Sequence, residues 1–552
     1  MALKFDVVVV GGGLSGGLPT AAYLQKAGLK VAILERHHEL ATFAPTTEPW
    51  PNTIMSPHAS INWSGASPVI EDLELEKYGY RMVFGPTAYG TTHKDGTNVL
   101  IYHDPAQTAK AVARFSKKDA EVVERMQRGL LDKAVETAET VFYSAPETHP
   151  AEVMEYAMSL GRVVGIEPDD FSKLTAAQLV EELFEDDHVR RTMFMGAALN
   201  VVGSALAAGQ GAFAVMCGFF ALLPVGAYVG GMHTLPHALS QVFVQHGGVT
   251  LRNCPVDRII VEDGEARGVQ LSDDAAFPGE TIFAEKALVS GVGAGVTLDL
   301  VGEEVMKSID PALTTKMKWW KSTYRGSTVS NWVMKGRPRW KSEEWNPDIA
   351  RAFLFYRAWD SWEECKAWTL AMQNGDMRAA YGSSGELLDF GTVDPKGISP
   401  EGWVIARDEE AVPFDIRSEG GPAKWDDLRE ELMEKRNDVM EALAPGFKDL
   451  ILQHLFYTPL DLWRYNPTGV GGNVLGGDFS EDQWILDRMP YRMPIKKMYT
   501  CVSNWPLSLS LMAPGYNCAG LIAEDLGIRD QSWWSHRPVM WLGANLPKLM
   551  VA

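Results

Sequence analysis

Residues 5–36 constrain this chain more than any other stretch. They read FDVVVVGGGLSGGLPTAAYLQKAGLKVAILER. A β-branched run at 7–10 breaks into glycines and then into a helical pattern with Leu18, Ala21, Ala22 and Leu24 on its inner face. A second apolar run, 31–34, ends on Glu35. Gly11, Gly13 and Gly16 satisfy G-x-G-x-x-G, with Leu14 and Ser15 inside the turn and the acid about 20 positions beyond the last glycine. In such a unit the first glycine permits a tight turn and the second lets backbone approach a pyrophosphate. The third lets the helix pack closely on the strand, and the helix N-terminus favours the anion. Glu35 is then placed to accept both hydroxyls of an adenosine ribose. Strand, turn, helix, strand and acid follow in the order of a Rossmann-type dinucleotide-binding unit.

Two features point to FAD rather than NAD. The fingerprint starts within a dozen residues of the first, and Glu35 is followed at once by Arg36. This ending resembles the flavoprotein superfamily that contains phytoene desaturases and amine oxidases. Relatives in that group follow it with a glycine pair that touches the FAD phosphates; this chain has Glu39, Leu40, Ala41 and Thr42 instead.

Composition narrows the function classes. A net charge of −20 over 552 residues argues against nucleic acid as a partner. Five scattered cysteines form no C-x-x-C pair and fit a reducing compartment without a disulfide framework. No leader precedes the first strand, so the expected location is the cytoplasm, with association at a membrane surface as a second reading. Residues 192–232 carry no charge, yet glycines and Pro224 interrupt them. They read as the wall of an apolar substrate cavity, or as a peripheral membrane-contacting patch, rather than as a bilayer span.

Two further anchors carry the resemblance. The segment from Gly230 runs GGMHTLPHALSQVFVQHGGVTLRNCPVDRIIVEDGEARGVQL. It resembles the part of the phytoene desaturase-like family that returns to the FAD domain. The family's adenine-contacting valine corresponds to Val256, and the strand end at Ser290 corresponds to another cofactor contact. Near the end, TPLDL, a TG-x-GGN segment, GGD, RMP and APG-x-N resemble the same family and its PYROXD-type branch. There the helix opened by APG-x-N faces the flavin, which implies Pro514, Gly515 and Asn517 as contacts. The family's glycine-rich run before that helix is replaced by the segment from Cys501 to Met512, so that region is remodelled.

The resemblance implies an α/β fold: a discontinuous, glutathione reductase-like FAD domain (1–70, 230–304, 456–552) and an α+β substrate domain with a helical cap (71–229, 305–455). It implies non-covalent FAD and oxidoreductase chemistry on C–C or C–N bonds of a lipophilic small molecule. An isomerase or hydratase using reduced FAD without net redox, and a non-catalytic FAD-stabilised scaffold, stay open beside it, as does homo-oligomerisation. Only one dinucleotide fingerprint is present, which disfavours NAD-dependent dehydrogenation. No G-x-S-x-G, H-E-x-x-H or metal-spaced Cys/His cluster occurs, so no metal is expected. The proton handlers suggested by the sequence are Tyr516, His58 and His233. The tryptophans between 340 and 368 read as packing residues, and His37 and His38 as exposed.

Overall fold

The computed structural model describes residues 3–59, 63–171, 173–198, 206, 207, 209, 211, 215, 225–322, 325–390, 398–478, 480–506 and 511–535. Most of the apolar stretch at 192–232, and part of the remodelled segment before the last helix, lie outside them. Among the described residues no helix is long and apolar enough to cross a membrane.

The first strand, Leu3–Val10, pairs in parallel with Val31–Leu34 on one side and Thr281–Ser290 on the other. Val249–Leu251 and Met498–Thr500 extend the parallel set outward. Val7, Val8, Val9, Ala32, Ile33 and Leu288 are fully buried. That explains their continuous apolar run, since strands covered on both faces do not alternate. The antiparallel pair Val256–Glu262 and Glu265–Leu271 completes the sheet. Asp263 and Gly264 both take left-handed φ, as the tight connection between such strands requires. Strands of one sheet thus come from the beginning, the middle and the end of the chain, and the fold is α/β with a Rossmann-type nucleotide-binding core.

A second seven-stranded sheet runs in the order Ile451–Tyr457, Gly326–Met334, Val404–Val412, Gly385–Asp389, Leu354–Arg357, Thr87–Thr92, Asn98–Tyr102. It is antiparallel except where Leu354–Arg357 meets Thr87–Thr92. The helices Pro105–Val112 and Asp187–Ala198 pack against its outer strands Thr87–Thr92 and Asn98–Tyr102. The tryptophans are packing residues: Trp340, Trp359 and Trp362 are buried, and Trp340 lies edge-on to Phe355.

Alternation along Val404–Val412 gives this sheet two unlike faces. Asp408 and Glu410 point to the helix Trp425–Leu443, where the buried Arg436 pairs with both. Arg357 adds hydrogen bonds to Asp408 at 2.8 and 3.0 Å and to the Ser384 carbonyl at 2.7 Å. Arg407 points the other way and donates to the backbone carbonyl of His58, tying the sheet to the nucleotide-binding half. Removing one member of a buried charge network strands the others, at a cost of about 3–5 kcal/mol. Arg436→Ala is therefore expected to lower the urea midpoint by a corresponding amount; an unchanged midpoint would show that the network adds nothing to stability.

Candidate cofactor site

The site forms at the carboxyl ends of the parallel strands, where this class of sheet opens a crevice. The ladder continues one residue past each strand. Gly11 N–H donates to the Leu34 carbonyl at 2.8 Å, Glu35 N–H to Leu251 at 2.9 Å, and Gly291 N–H to Val10 at 2.8 Å. The bends that follow enclose a cavity of about 230 Å³. Gly11 turns with φ +88°, and a Cβ there would lie 2.9 Å from the Gly291 carbonyl. A Cβ on Gly13 would meet nothing within 4 Å, so this residue borders open space. Gly16 differs from its expected role. Its missing Cβ makes room for the carbonyl of Cys501, while Gly17 makes the close approach to the turn at Gly11.

Glu35 is buried, and both its carboxylate oxygens are engaged. Gly12 N–H donates to one at 3.0 Å and His37 N–H to the other at 3.0 Å. The two bonds fix the carboxylate at the cavity wall. The helix Gly17–Lys26 begins with no side-chain cap and no acid in its first turn, leaving its positive end unneutralised by the protein. Ala41 lies in the stretch where the resemblance leads one to expect a glycine pair. It takes φ +57° and donates its N–H to the Gly12 carbonyl at 3.0 Å, so the chain makes the turn without glycine.

Of the residues inferred from the sequence, Gly11, Gly13, Leu14, Ser15, Gly16, Glu35, Arg36 and Val256 line this cavity. Ser290 does not. Its hydroxyl lies 2.7 Å from that of Thr297, and the lining passes to Gly291 and Val292. Pro514, Gly515 and Asn517 also stand outside the lining. Gly515 N–H donates to the Ser15 carbonyl at 3.0 Å, and Asn517 Nδ2 donates to the carbonyls of Phe142 and Ser144. The helix Ala513–Asp525 therefore clamps the fingerprint turn from behind. His37 is half-buried and reaches the lining, its ring stacked 5.5 Å from that of Tyr465.

The far wall comes from the TG-x-GGN anchor, whose individual residues the motif reading did not single out. Asn466, Thr468, Gly469, Asn473 and Gly476 line the cavity. Asn466 Nδ2 donates to the Thr42 carbonyl at 2.9 Å, and Asn473 Nδ2 to Asp478 at 3.0 Å. Arg488, fully buried, donates to the carbonyls of Gly476 and Asn504, both at 3.0 Å, and holds this wall to the returning strand. Burial pushes its pKa down to about 9.

The three suggested proton handlers are held elsewhere. Tyr516 donates to the Ser535 carbonyl at 3.0 Å and stacks edge-on with Tyr23 and Tyr143; burial pushes its pKa up to about 12. His58 sits between Phe43 and Tyr465, its pKa pushed down by burial to about 3, and stays neutral near neutral pH. The Nδ1 of His233 lies 2.9 Å from the Ala44 carbonyl, and its Nε2 is 3.7 Å from Glu39. None of the three lines the cavity.

No family model matches the chain. It is 25% identical to one of the subunits of limonene dehydrogenase from Castellaniella defragrans, over 96% of each protein. It is 26% identical to pyridine nucleotide-disulfide oxidoreductase domain-containing protein 2 of Rattus norvegicus, over 95% of this chain and 94% of that one. Among solved structures, putrescine oxidase bound to putrescine superposes with a TM-score of 0.59 at 14% identity, covering 96% of this chain and all of the other. Over nearly its whole length the chain thus resembles the amine oxidase–desaturase flavoproteins. It is an FAD-dependent oxidoreductase acting on a small molecule.

The residues fit FAD. Gly13 leaves room for a pyrophosphate, Glu35 is fixed where a ribose would be recognised, and the uncapped helix end favours an anion. In this flavoprotein Gly13→Val is expected to keep the fold and lose at least about tenfold in bound flavin, since its side chain enters open space. Gly16→Val, driven into the Cys501 backbone, is expected to yield no folded protein. Flavin content and thermal melting separate the two. Retention of flavin by Gly13→Val would show that the cavity is not the cofactor's.

Because His58 has a folded pKa below its ordinary value of 6.5, the folded state binds fewer protons than the unfolded one between about 6.5 and 3. Its stabilising contribution is complete above pH 6.5 and shrinks on acidification, by up to about 1.4 kcal/mol per pH unit. His58→Asn is expected to make stability fall less steeply across that window, measured by denaturation at a series of pH values.

Proposed function

We propose that this flavoprotein dehydrogenates a C–C or C–N bond of a lipophilic small molecule. One observation carries the reading. Met232 lines the cofactor cavity and also a second, smaller cavity against the antiparallel sheet, which is bounded chiefly by Ile54, Met55, Ala227, Phe390, Ile398 and Ile405. An apolar enclosure beside the cofactor suits a substrate with little polar surface, since few polar groups are needed to orient it. Limonene, named in one relative, is such a molecule, and putrescine, bound in a structural neighbour, is an amine. Isomerisation or hydration without net redox is not favoured by these relatives.

When bound, FAD supplies an acceptor for the two electrons of a hydride. The protein's part is to bind, orient and keep water out. The apolar walls named above do this, and Met232 stands between the two cavities. Tyr516, His58 and His233 do not reach the cavity as side chains and are not assigned a proton.

The test is anaerobic. Purified protein is mixed with cyclic alkenes and with lipophilic amines, and the oxidised flavin band is followed before and after air is admitted. Bleaching by at least one of them is expected. A flavin that none reduces would overturn the reading. Tyr516→Phe and His58→Asn are expected to bleach within about threefold of the unsubstituted rate, less than 1 kcal/mol in barrier. A loss of a hundredfold or more would return these residues to the chemistry.

A further inference from the structure

The inner face of the antiparallel sheet carries a buried polar group that the fold leaves without a partner. Asn331 and Arg407 are register partners on adjacent antiparallel strands, so their side chains share one face. Both are 1% exposed. Asn331 lines the small cavity, and its Nδ2 has no hydrogen-bond partner. Arg407 spends Nη2 on the His58 carbonyl and on Glu409 at 2.6 Å, while its Nε and Nη1 make no hydrogen bond. A buried donor left unmade costs about 1–3 kcal/mol. The neighbours on the same face, Val329, Val333 and Ile405, show that an apolar side chain fits there.

The cavity measures about 20 Å³. That is room for roughly one water-sized group, hence for the tip of a molecule rather than its body. We propose that Asn331 is the specificity-determining residue of the substrate site, donating from Nδ2 to a carbonyl, hydroxyl or ether oxygen at the tip of a neutral lipophile. Ile54, Met55, Phe390 and Ile405 form the apolar wall around that tip. The inference rests on the lipophilic-substrate reading above and narrows it.

Charge on this face disfavours an ammonium tip. Arg407 is paired with Glu409 and with Glu386 at 3.7 Å, and Arg325 lies 3.9 Å from Glu409. Two guanidiniums thus balance two carboxylates, and Ser327 donates to Glu409 as well, at 2.6 Å. No net negative charge awaits a cation, whereas an unmet donor awaits an acceptor. Oxygenated hydrocarbons are therefore preferred to amines.

The experiment compares two molecules of one shape. In 4-tert-butylcyclohexanone a carbonyl oxygen sits where 1-methylene-4-tert-butylcyclohexane has CH₂. Affinity of each for the flavin-loaded protein is measured by calorimetry. The ketone is expected to bind about tenfold more tightly, the equivalent of one satisfied hydrogen bond. In Asn331→Leu the preference should vanish while the isostere binds at least as well as before. Asn331→Ser, a smaller change that shortens the donor, should give an intermediate ratio and guards against a misfolded leucine variant, with flavin content reporting the fold. Equal affinities in the unsubstituted protein would mean that Asn331 merely holds a water. That result, a ratio that survives both variants, or no binding of the ketone at millimolar concentration would each overturn the proposal. Failure of the broader reading looks different: no lipophile bleaches the flavin at all.

Discussion

Backbone meeting backbone at the carboxyl ends of the parallel strands is the constraint on which the rest of this structure depends. The turn at Gly11 lies against Gly291, Gly16 against Cys501, and Gly515 against the turn at Ser15 and Gly16. Each contact joins chain stretches distant in sequence, and each requires that no Cβ intervene. Side-chain packing could not replace them, because a methyl group at Gly16 or Gly515 would occupy the space of a carbonyl. The cavity is the space left over by these approaches. Its shape is therefore a property of the main chain, and the side chains around it adjust polarity rather than form.

The antiparallel sheet works by a different economy. Its inner strands are buried on both faces, yet they carry Arg357, Arg407, Asp408 and Glu410, groups that seldom lie fully inside unless paired. Period-two alternation sorts them. One set locks the sheet to the helix Trp425–Leu443, and the other turns toward the nucleotide-binding half and meets the backbone at His58. Such pairing is weak evidence of added stability but confers direction, since a one-residue slip would move every charge to the wrong face.

Legibility in the sequence followed the reach of the interactions. The fingerprint was readable because its residues act locally, through a turn, a helix start and a nearby acid. Gly11, Gly13 and Glu35 accordingly line the cavity, and Val256, carried over from the resemblance, lines it too. Ser290 was one residue short of the lining, because the ladder runs on to Gly291 before the chain bends. The APG-x-N residues were carried over from resemblance, but their distance from the cavity depends on how the last helix docks on Ser15, which no local pattern encodes. Asn473 carried a motif signal that pointed to a segment rather than to an individual contact, and Asn466 lies just outside that motif. Asn331 had no signal at all. An asparagine in a strand reads as an ordinary polar residue until register places it opposite Arg407 and burial removes the solvent.

Discontinuity of the nucleotide-binding half has a consequence in time. Thr20 Oγ1 donates to the carbonyl of Gly515, a residue 495 positions later. At a synthesis rate of roughly 5–20 residues per second, the fingerprint leaves the ribosome some 25–100 s before the helix that braces it. By the middle of that interval the flanking strands Val31–Leu34 and Thr281–Ser290 are made, but the bracing helix and the far wall of the crevice are still missing. The nascent chain thus holds an unfinished sheet until the segments that follow Tyr457 arrive to close it.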